Sequence, residues 1–131
     1  MSSIFSKIIS GEIPCYKVAE NDEFLAFLDI MPLRLGHVLV IPKRETDYIF
    51  DISDDELSRF MVFSKFVAQG IKQVVPCKKI GVTVIGLEVP HAHIHLVPID
   101  SVADMNFAAE KQQTDPQTLA ELASKIAAEL K

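Results

Sequence analysis

Apolar residues recur at helical spacing in three segments of this chain and gather into five short β-prone runs between them. Ser3 caps a short first helix on which Ile4, Phe5, Ile8 and Ile9 lie opposite Ser6, Lys7 and Ser10, and Gly11 ends it. YKVAE and EFLAFLDI follow as two strands, and Asn21-Asp22 between them predicts a hairpin. On the second strand the two-residue period puts Leu25, Phe27 and Asp29 on one face, an acid among apolar neighbours. The loop MPLRLG leads to a third strand, HVLVIPK, which runs from His37 to a stop at Pro42. Ser53 with Glu56 three residues on is a capping box. It opens a long helix whose inner face is Leu57, Phe60, Met61, Ser64, Val67, Ala68, Ile71 and Val74, and Pro76 closes it. KKIGVTVIG is a fourth strand and PHAHIHLVPI a fifth. Beyond Pro116, Leu119, Leu122, Ala123, Ile126 and Leu130 describe a terminal amphipathic helix. Without repeats, low-complexity tracts or linkers, residues 1–131 are expected to form a single α+β domain, a five-stranded antiparallel sheet with packed helices.

A chain of 131 residues buries a core without disulfides or metals, so a metal would have to serve function rather than folding. The net charge of -5 argues against a nucleic-acid polymer as ligand, because that affinity rests on clustered Lys and Arg. A local positive pocket for one nucleotide is compatible with it. Lys7 interrupts the only apolar run near the N-terminus, and no run is long enough for a membrane span, so no signal peptide and no membrane association are expected. Cys15 and Cys77 have no CxxC spacing and read as free thiols in a reducing cytoplasm.

Three of the four histidines fall in PHAHIHLVP, residues 90–98. On a strand, His91, His93 and His95 point to one side while Ala92, Ile94 and Leu96 point to the core. Two chemistries then compete. Three imidazoles and a water suit zinc, yet same-face neighbours lie about 6.5–7 Å apart at Cα, so convergence needs strand distortion. No cysteine or acid stands beside the triplet in sequence to orient such ligands. Alternatively a neutral imidazole attacks phosphorus, carries the adduct and yields it to water. His93, flanked by the other two, is the position best supplied with partners for that step. No metal and no cofactor are expected.

At these residues the chain resembles the histidine triad (HIT) nucleotide hydrolases and transferases, whose signature His-x-His-x-His followed by apolar residues reads here as HAHIHLV. IFSKIISGEIPCYKV resembles the family's N-terminal stretch, FLDIMP its ribose-binding strand, and LGHVLVIPK its third strand with an upstream histidine. The match runs through residues 3–98, and residues 100–131 read as a less typical C-terminal helical extension. The resemblance implies a homodimer of HIT-like subunits that bind a purine nucleotide by its α-phosphate. It implies that His93 is the nucleophile forming a nucleotidyl-histidine intermediate, that His95 contacts phosphate, and that His91 and His37 orient the site. It implies further that Asp29 accepts the ribose hydroxyls and that Ile4, Phe5, Ile8, Phe27 and Leu28 line the base pocket, although each of these five would also serve as core.

Two departures bear on the substrate. Family members commonly carry a longer glycine-containing loop with polar residues before the triad, whereas VIGLEVP has Leu87 and Glu88 there. Leu87 cannot donate a hydrogen bond, and an ionised Glu88 repels a polyphosphate while attracting a cationic leaving group. Glu45, in PKRETD, stands where the family often has another histidine. The expectation is a purine nucleoside phosphoramidate hydrolase. A dinucleoside polyphosphate hydrolase, a nucleotide-binding module with little catalysis and a zinc-dependent protein are the alternatives.

Overall fold

A computed structural model of the chain describes residues 2–111 and 113–130. Strands β1 (Lys17–Glu20), β2 (Phe24–Leu28), β3 (Val38–Pro42), β4 (Lys79–Thr83) and β5 (Ile94–Ile99) form one antiparallel sheet in the order β1-β2-β3-β5-β4. Helix α1 (Ile4–Ile9) precedes the sheet, α2 (Asp54–Val74) joins β3 to β4, and α3 (Pro116–Glu129) ends the described chain. Short 3-10 turns lie at Ile49–Asp51 and Val102–Met105. No helix among the described residues is long and apolar enough to cross a membrane.

Local signals account for most of these boundaries. Asn21 Oδ1 accepts from the amides of Glu23 and Phe24 at 2.9 and 2.8 Å, which tightens the expected hairpin. Ser53 caps α2 by accepting from the Glu56 amide at 3.2 Å, and three acids in the first turn suit the helix dipole. The reciprocal half of the expected capping box is not made. The Glu56 carboxylate accepts instead from Arg44 Nη2 at 2.8 Å.

Alternate residues of the strands build two different faces. Phe24, Ala26, Leu28, Val38, Val40, Ile94 and Leu96 enter one apolar core with Phe60, Phe63, Val67 and Ile71 of α2 and Leu119, Ala123 and Ile126 of α3. Phe24 and Phe60 stack there with ring centroids 5.3 Å apart. Met61, expected on the inner face of α2, is outward and 48% exposed, and Phe63 is buried in its stead. The reason is that α3 packs against α2 as well as β1, which turns the inner stripe of α2 toward Phe60 and Phe63.

The fifth strand starts later than expected. Its ladder with β3 ends at Val40↔Ile94, so His91 and His93 belong to an extended approach rather than to β5. Continued pairing would bring Pro42 opposite Ala92, and proline has no N–H to donate. Ala92 donates its amide to the Thr46 carbonyl at 2.7 Å instead. The alternation of side chains persists through this approach, since Ala92 is in the helix-covered core and all four histidines are buried on other packing.

Candidate active site

The other face of the sheet carries a row of side chains set by register: Phe27 faces Leu39, Leu39 faces His95, and His95 faces Thr83. Phe5 of α1 closes over this row with Leu25, Phe27, Leu39 and Ile41. Its ring lies edge-on to Phe27 at 5.8 Å, to His91 at 5.7 Å and to His93 at 4.9 Å. His93 in turn lies 4.8 Å from His95, and His95 lies 5.2 Å from His37. His93, His95 and His37 therefore form a continuous chain of rings, and the Phe5 ring links His91 to it. His37 reaches it from just before β3, after Gly36, whose φ of +99° and whose contact with Val75, where an added Cβ would lie 2.8 Å from Cγ2, leave room for no side chain.

Hydrogen bonds fix which nitrogen of each ring carries the proton. The Pro42 carbonyl can only accept, so His91 Nε2–H donates to it at 2.7 Å and Nδ1 accepts from Ser3 Oγ–H at 2.8 Å. His93 Nδ1–H donates to the His91 carbonyl at 2.8 Å, leaving a lone pair on Nε2. The Leu33 amide donates to His37 Nδ1 at 3.1 Å, so neutral His37 is protonated at Nε2 and donates to His95 Nδ1 at 3.0 Å. His95 then carries its proton on Nε2. One bare nitrogen and one N–H thus stand side by side on neighbouring rings.

Burial keeps the set uncharged. It lowers the pKa of His37 to about 3 and that of His95 to about 4, with like-charge repulsion among the imidazoles adding to both, and it lowers His91 and His93 as well. Asp29 sits at the end of β2, its Oδ1 accepting from the Met31 amide at 2.9 Å and its Oδ2 3.8 Å from His37 Nε2. Burial raises its pKa, and the Met31 amide pulls the other way. An acid does therefore reach the histidine face, from a neighbouring strand end rather than from the triplet's own segment.

The metal reading fails on donor chemistry. Both nitrogens of His91 are engaged, so His91, His93 and His95 cannot converge on one ion as the spacing allowed. Ligand atoms of Asp29, His37 and His95 do lie within 4.8 Å of one another. A cation there would need a bare His37 Nε2, which would put an N–H on Nδ1 against the Leu33 N–H. These residues do not suit a resident metal.

Of the expected pocket residues, Phe5 and Phe27 meet at the site, Ile8 packs beside them, and Ile4 is 49% exposed. The Leu28 side chain is on the opposite face, in the helix-covered core, because it neighbours Phe27 on an extended strand. Leu87 is 88% exposed, and the Glu88 charge is felt at His93. Four residues hold places at the site that the sequence reading did not give them. Ser3 and Glu45 hold α1 to the site: Glu45 Oε1 accepts from the Ser3 amide at 2.6 Å and from Ser6 Oγ at 2.7 Å, which brings the Glu45 pKa down to about 2. Phe107 and Lys111 arrive from the segment before α3, with Phe107 edge-on to His95 at 4.8 Å and to His37 at 6.0 Å. A lone aromatic in a polar stretch was the one signal available for that segment.

Known proteins are similar to this chain over most of its length. The HIT domain model matches residues 10–102. Adenosine 5′-monophosphoramidase HNT1 of Saccharomyces cerevisiae is 35% identical over 129 residues, covering 97% of this chain and 82% of its own length. The crystal structure of a Hit-like protein involved in cell-cycle regulation from Bartonella henselae superposes with a TM-score of 0.85 at 32% identity, covering 98% of this chain and 97% of that one. A zinc-bound histidine triad family protein from Mycobacterium smegmatis superposes with a TM-score of 0.83 at 26% identity, over 99% and 94% of the two chains. With the matched model spanning more than half of its length and the histidine motif folded into one buried cluster, the chain belongs to the histidine triad (HIT) family.

Proposed function

We propose that the chain hydrolyses a purine nucleoside 5′-phosphoramidate, or a related nucleotidyl bond, at the α-phosphate through a nucleotidyl intermediate on His93. The observation that carries this reading is the division of protons between adjacent rings, with a bare Nε2 on His93 and an Nε2–H on His95. In the first step the His93 lone pair attacks phosphorus and the P–N bond breaks. The leaving nitrogen takes a proton from solvent and departs as an amine, while His95 Nε2–H bonds a nonbridging oxygen. Water then attacks phosphorus, the bond to His93 breaks, and the nucleoside monophosphate and a proton are released. His91 and His37 act as positioning residues, through the His91 carbonyl on His93 and through His37 Nε2–H on His95. Asp29 is assigned to the ribose hydroxyls, and Phe5, Phe27 and Ile8 to the base. The activity in the name of the S. cerevisiae relative supports a phosphoramidate, as does the Glu88 charge, which favours an amine over a polyphosphate leaving group.

Release of AMP from adenosine 5′-phosphoramidate, with an AMP adduct on His93 in the intact mass of rapidly quenched protein, is the expected result. Absence of turnover, or undiminished turnover in His93→Ala, overturns the reading. Faster cleavage of diadenosine tri- or tetraphosphate would select the dinucleoside polyphosphate alternative, and AMP binding without an adduct would select the binding module.

The same reading makes the functional unit a homodimer acting on small nucleotides in the cytoplasm, with no nucleic-acid polymer as partner. The free cysteines Cys15 and Cys77 suit a reducing compartment. An apolar groove of about 900 Å³, with no histidine in its lining, lies between α2, the 3-10 turn at Ile49–Asp51 and the loop after β4. Phe50, Val62, Val82 and Leu87 are exposed beside it, and β4 is an edge strand. Such an unpaired edge with adjoining apolar surface fits a self-complementary contact with a second copy. Sedimentation equilibrium should give twice the chain mass, and Val62→Glu with Leu87→Glu should return it to the monomer.

A further inference from the structure

The stretch between β5 and α3 covers the histidine side of the sheet and has no role in the chemistry derived so far. Arg34, in the loop that holds His37, bridges Asp100 at 3.2 Å and Asp104 at 3.0 Å. Asp104 Oδ2 also accepts from the amides of Asp100 and Ser101 at 2.7 and 3.1 Å, so the 3-10 turn Val102–Met105 is pinned beside that loop. Two residues further on, Phe107 meets both imidazoles of the His37–His95 pair. Lys111 Nζ lies 5.7 Å over the same ring. The ring that packs on the imidazole pair therefore also carries an ammonium.

That ammonium faces a site short of positive charge. Its field disfavours protonation of His37 and His95 and favours ionised Asp29, while the fields of Asp29 and Glu88 act on His93 with the opposite sign. The four imidazoles are neutral at pH 7, so they supply dipoles and no net charge to a bound phosphate. Lys111 is half-buried, and among the described residues it makes no ion pair. Its stem is long enough to swing from the Phe107 face toward an anion beside His95.

We propose that Lys111 is a substrate-contacting residue of this site, its ammonium bonding the nonbridging oxygens of the phosphoryl group held at His93 and His95. The segment after β5 then supplies the phosphate recognition that Leu87 withholds from the loop before His91. The site becomes polarised, with the phosphate charge toward Lys111 and a cationic leaving group toward Glu88. The proposal rests on reading the histidine cluster as a nucleotidyl site.

Calorimetric titration of AMP and of adenosine into the wild type, Lys111→Met, Lys111→Arg and His95→Ala tests it. Loss of a charge-assisted contact should weaken AMP by about tenfold or more in Lys111→Met. Adenosine affinity should be unchanged, and Lys111→Arg should recover most of the AMP affinity. AMP binding in Lys111→Met within about twofold of wild type overturns the proposal, as does an equal loss for AMP and adenosine, which would mark a structural role. If either result accompanies AMP binding that is lost in His95→Ala, the nucleotidyl site stands and the Lys111 role alone falls. If AMP does not bind the wild type, or binds undiminished in His95→Ala, both readings fall together.

Discussion

The two faces of the sheet are built from alternate residues of the same strands, yet they are held by different physics. On the helix-covered face the neighbours are Phe24, Ala26, Leu28, Val38, Val40, Ile94 and Leu96, and what they need from α2 and α3 is volume and shape. On the histidine face apolar residues surround four buried imidazoles, and each ring nitrogen that meets protein meets a specific donor or acceptor. Covering elements differ as well. Two long helices close the first face, whereas a six-residue helix near the N-terminus and a turn-rich segment before α3 close the second. A face packed by volume tolerates substitution by degrees, while a face wired by hydrogen bonds loses its tautomers when one partner goes.

Substitutions that hit one face and spare the other put this contrast to the test. The largest effect belongs to His93→Asn, which removes the proposed nucleophile and retains a side chain able to hydrogen-bond. Turnover of a phosphoramidate should fall by about 10⁴-fold or more, roughly 5.5 kcal/mol in the barrier, with urea stability within about 1 kcal/mol of wild type. Phe60→Ala on the opposite face should do the reverse. It removes a fully buried ring stacked on Phe24 and should cost about 3–5 kcal/mol of stability, with kcat unchanged where the protein remains folded. A large kcat loss in Phe60→Ala, or wild-type stability, would erase the distinction between the faces.

Legibility in the sequence follows the same division. Periodicity and capping located α1, α2, α3 and the first hairpin, because the helix-covered face is organised by burial and burial leaves a pattern. Alternation also grouped His91, His93 and His95, and it survived the loss of strand pairing at Pro42. Leu28, assigned to the base pocket by the resemblance alone, lies on the face opposite Phe27, as the same alternation requires, since adjacent strand residues cannot share a face. What stayed hidden were pairings across long sequence separation. Ser3 with His91, His37 with His95, and Phe107 with both of the latter depend on which segments the fold lays together, and no local spacing encodes that. Glu45 read as a missing histidine, and its use as the acceptor for α1 emerges only once Ser3 and Ser6 stand against it.

Acidification should act on the histidine face first. Unfolded histidines protonate below about pH 6.5, whereas His37 and His95 in the folded chain resist until about pH 3 and about pH 4. Between those values the unfolded state binds more protons, so stability falls as pH falls. From pH 7 to pH 5 the pair should remove roughly 4 kcal/mol, in a range where few carboxylates titrate. Asp29, its pKa raised by burial, works in the other direction, because a protonated carboxyl favours the folded state. The urea midpoint measured at pH 7 and pH 5 checks this, and equal midpoints would contradict neutral buried imidazoles. The rate should outlast the stability, since His93 keeps its lone pair below the usual imidazole range and kcat/KM should turn down only below about pH 6.5.

The smallest effect is the most specific. Ser3→Ala removes one hydroxyl that caps α1 through the Ser6 amide at 3.0 Å and donates to His91 Nδ1 at 2.8 Å. The cap and the unpaired buried nitrogen together should cost about 1–3 kcal/mol. Ser58→Ala, which also loses a serine hydroxyl hydrogen bond but on the solvent side of α2, should stay within about 0.5 kcal/mol. Stability alone would not separate a cap from a link to the site. The nitrogen NMR shifts of His91 would, because Nδ1 loses the hydroxyl that donates to it and its resonance should move, while the Pro42 carbonyl keeps the proton on Nε2. A Ser3→Ala protein with wild-type His91 shifts and wild-type kcat would leave α1 as a lid over the site, unconnected to its wiring.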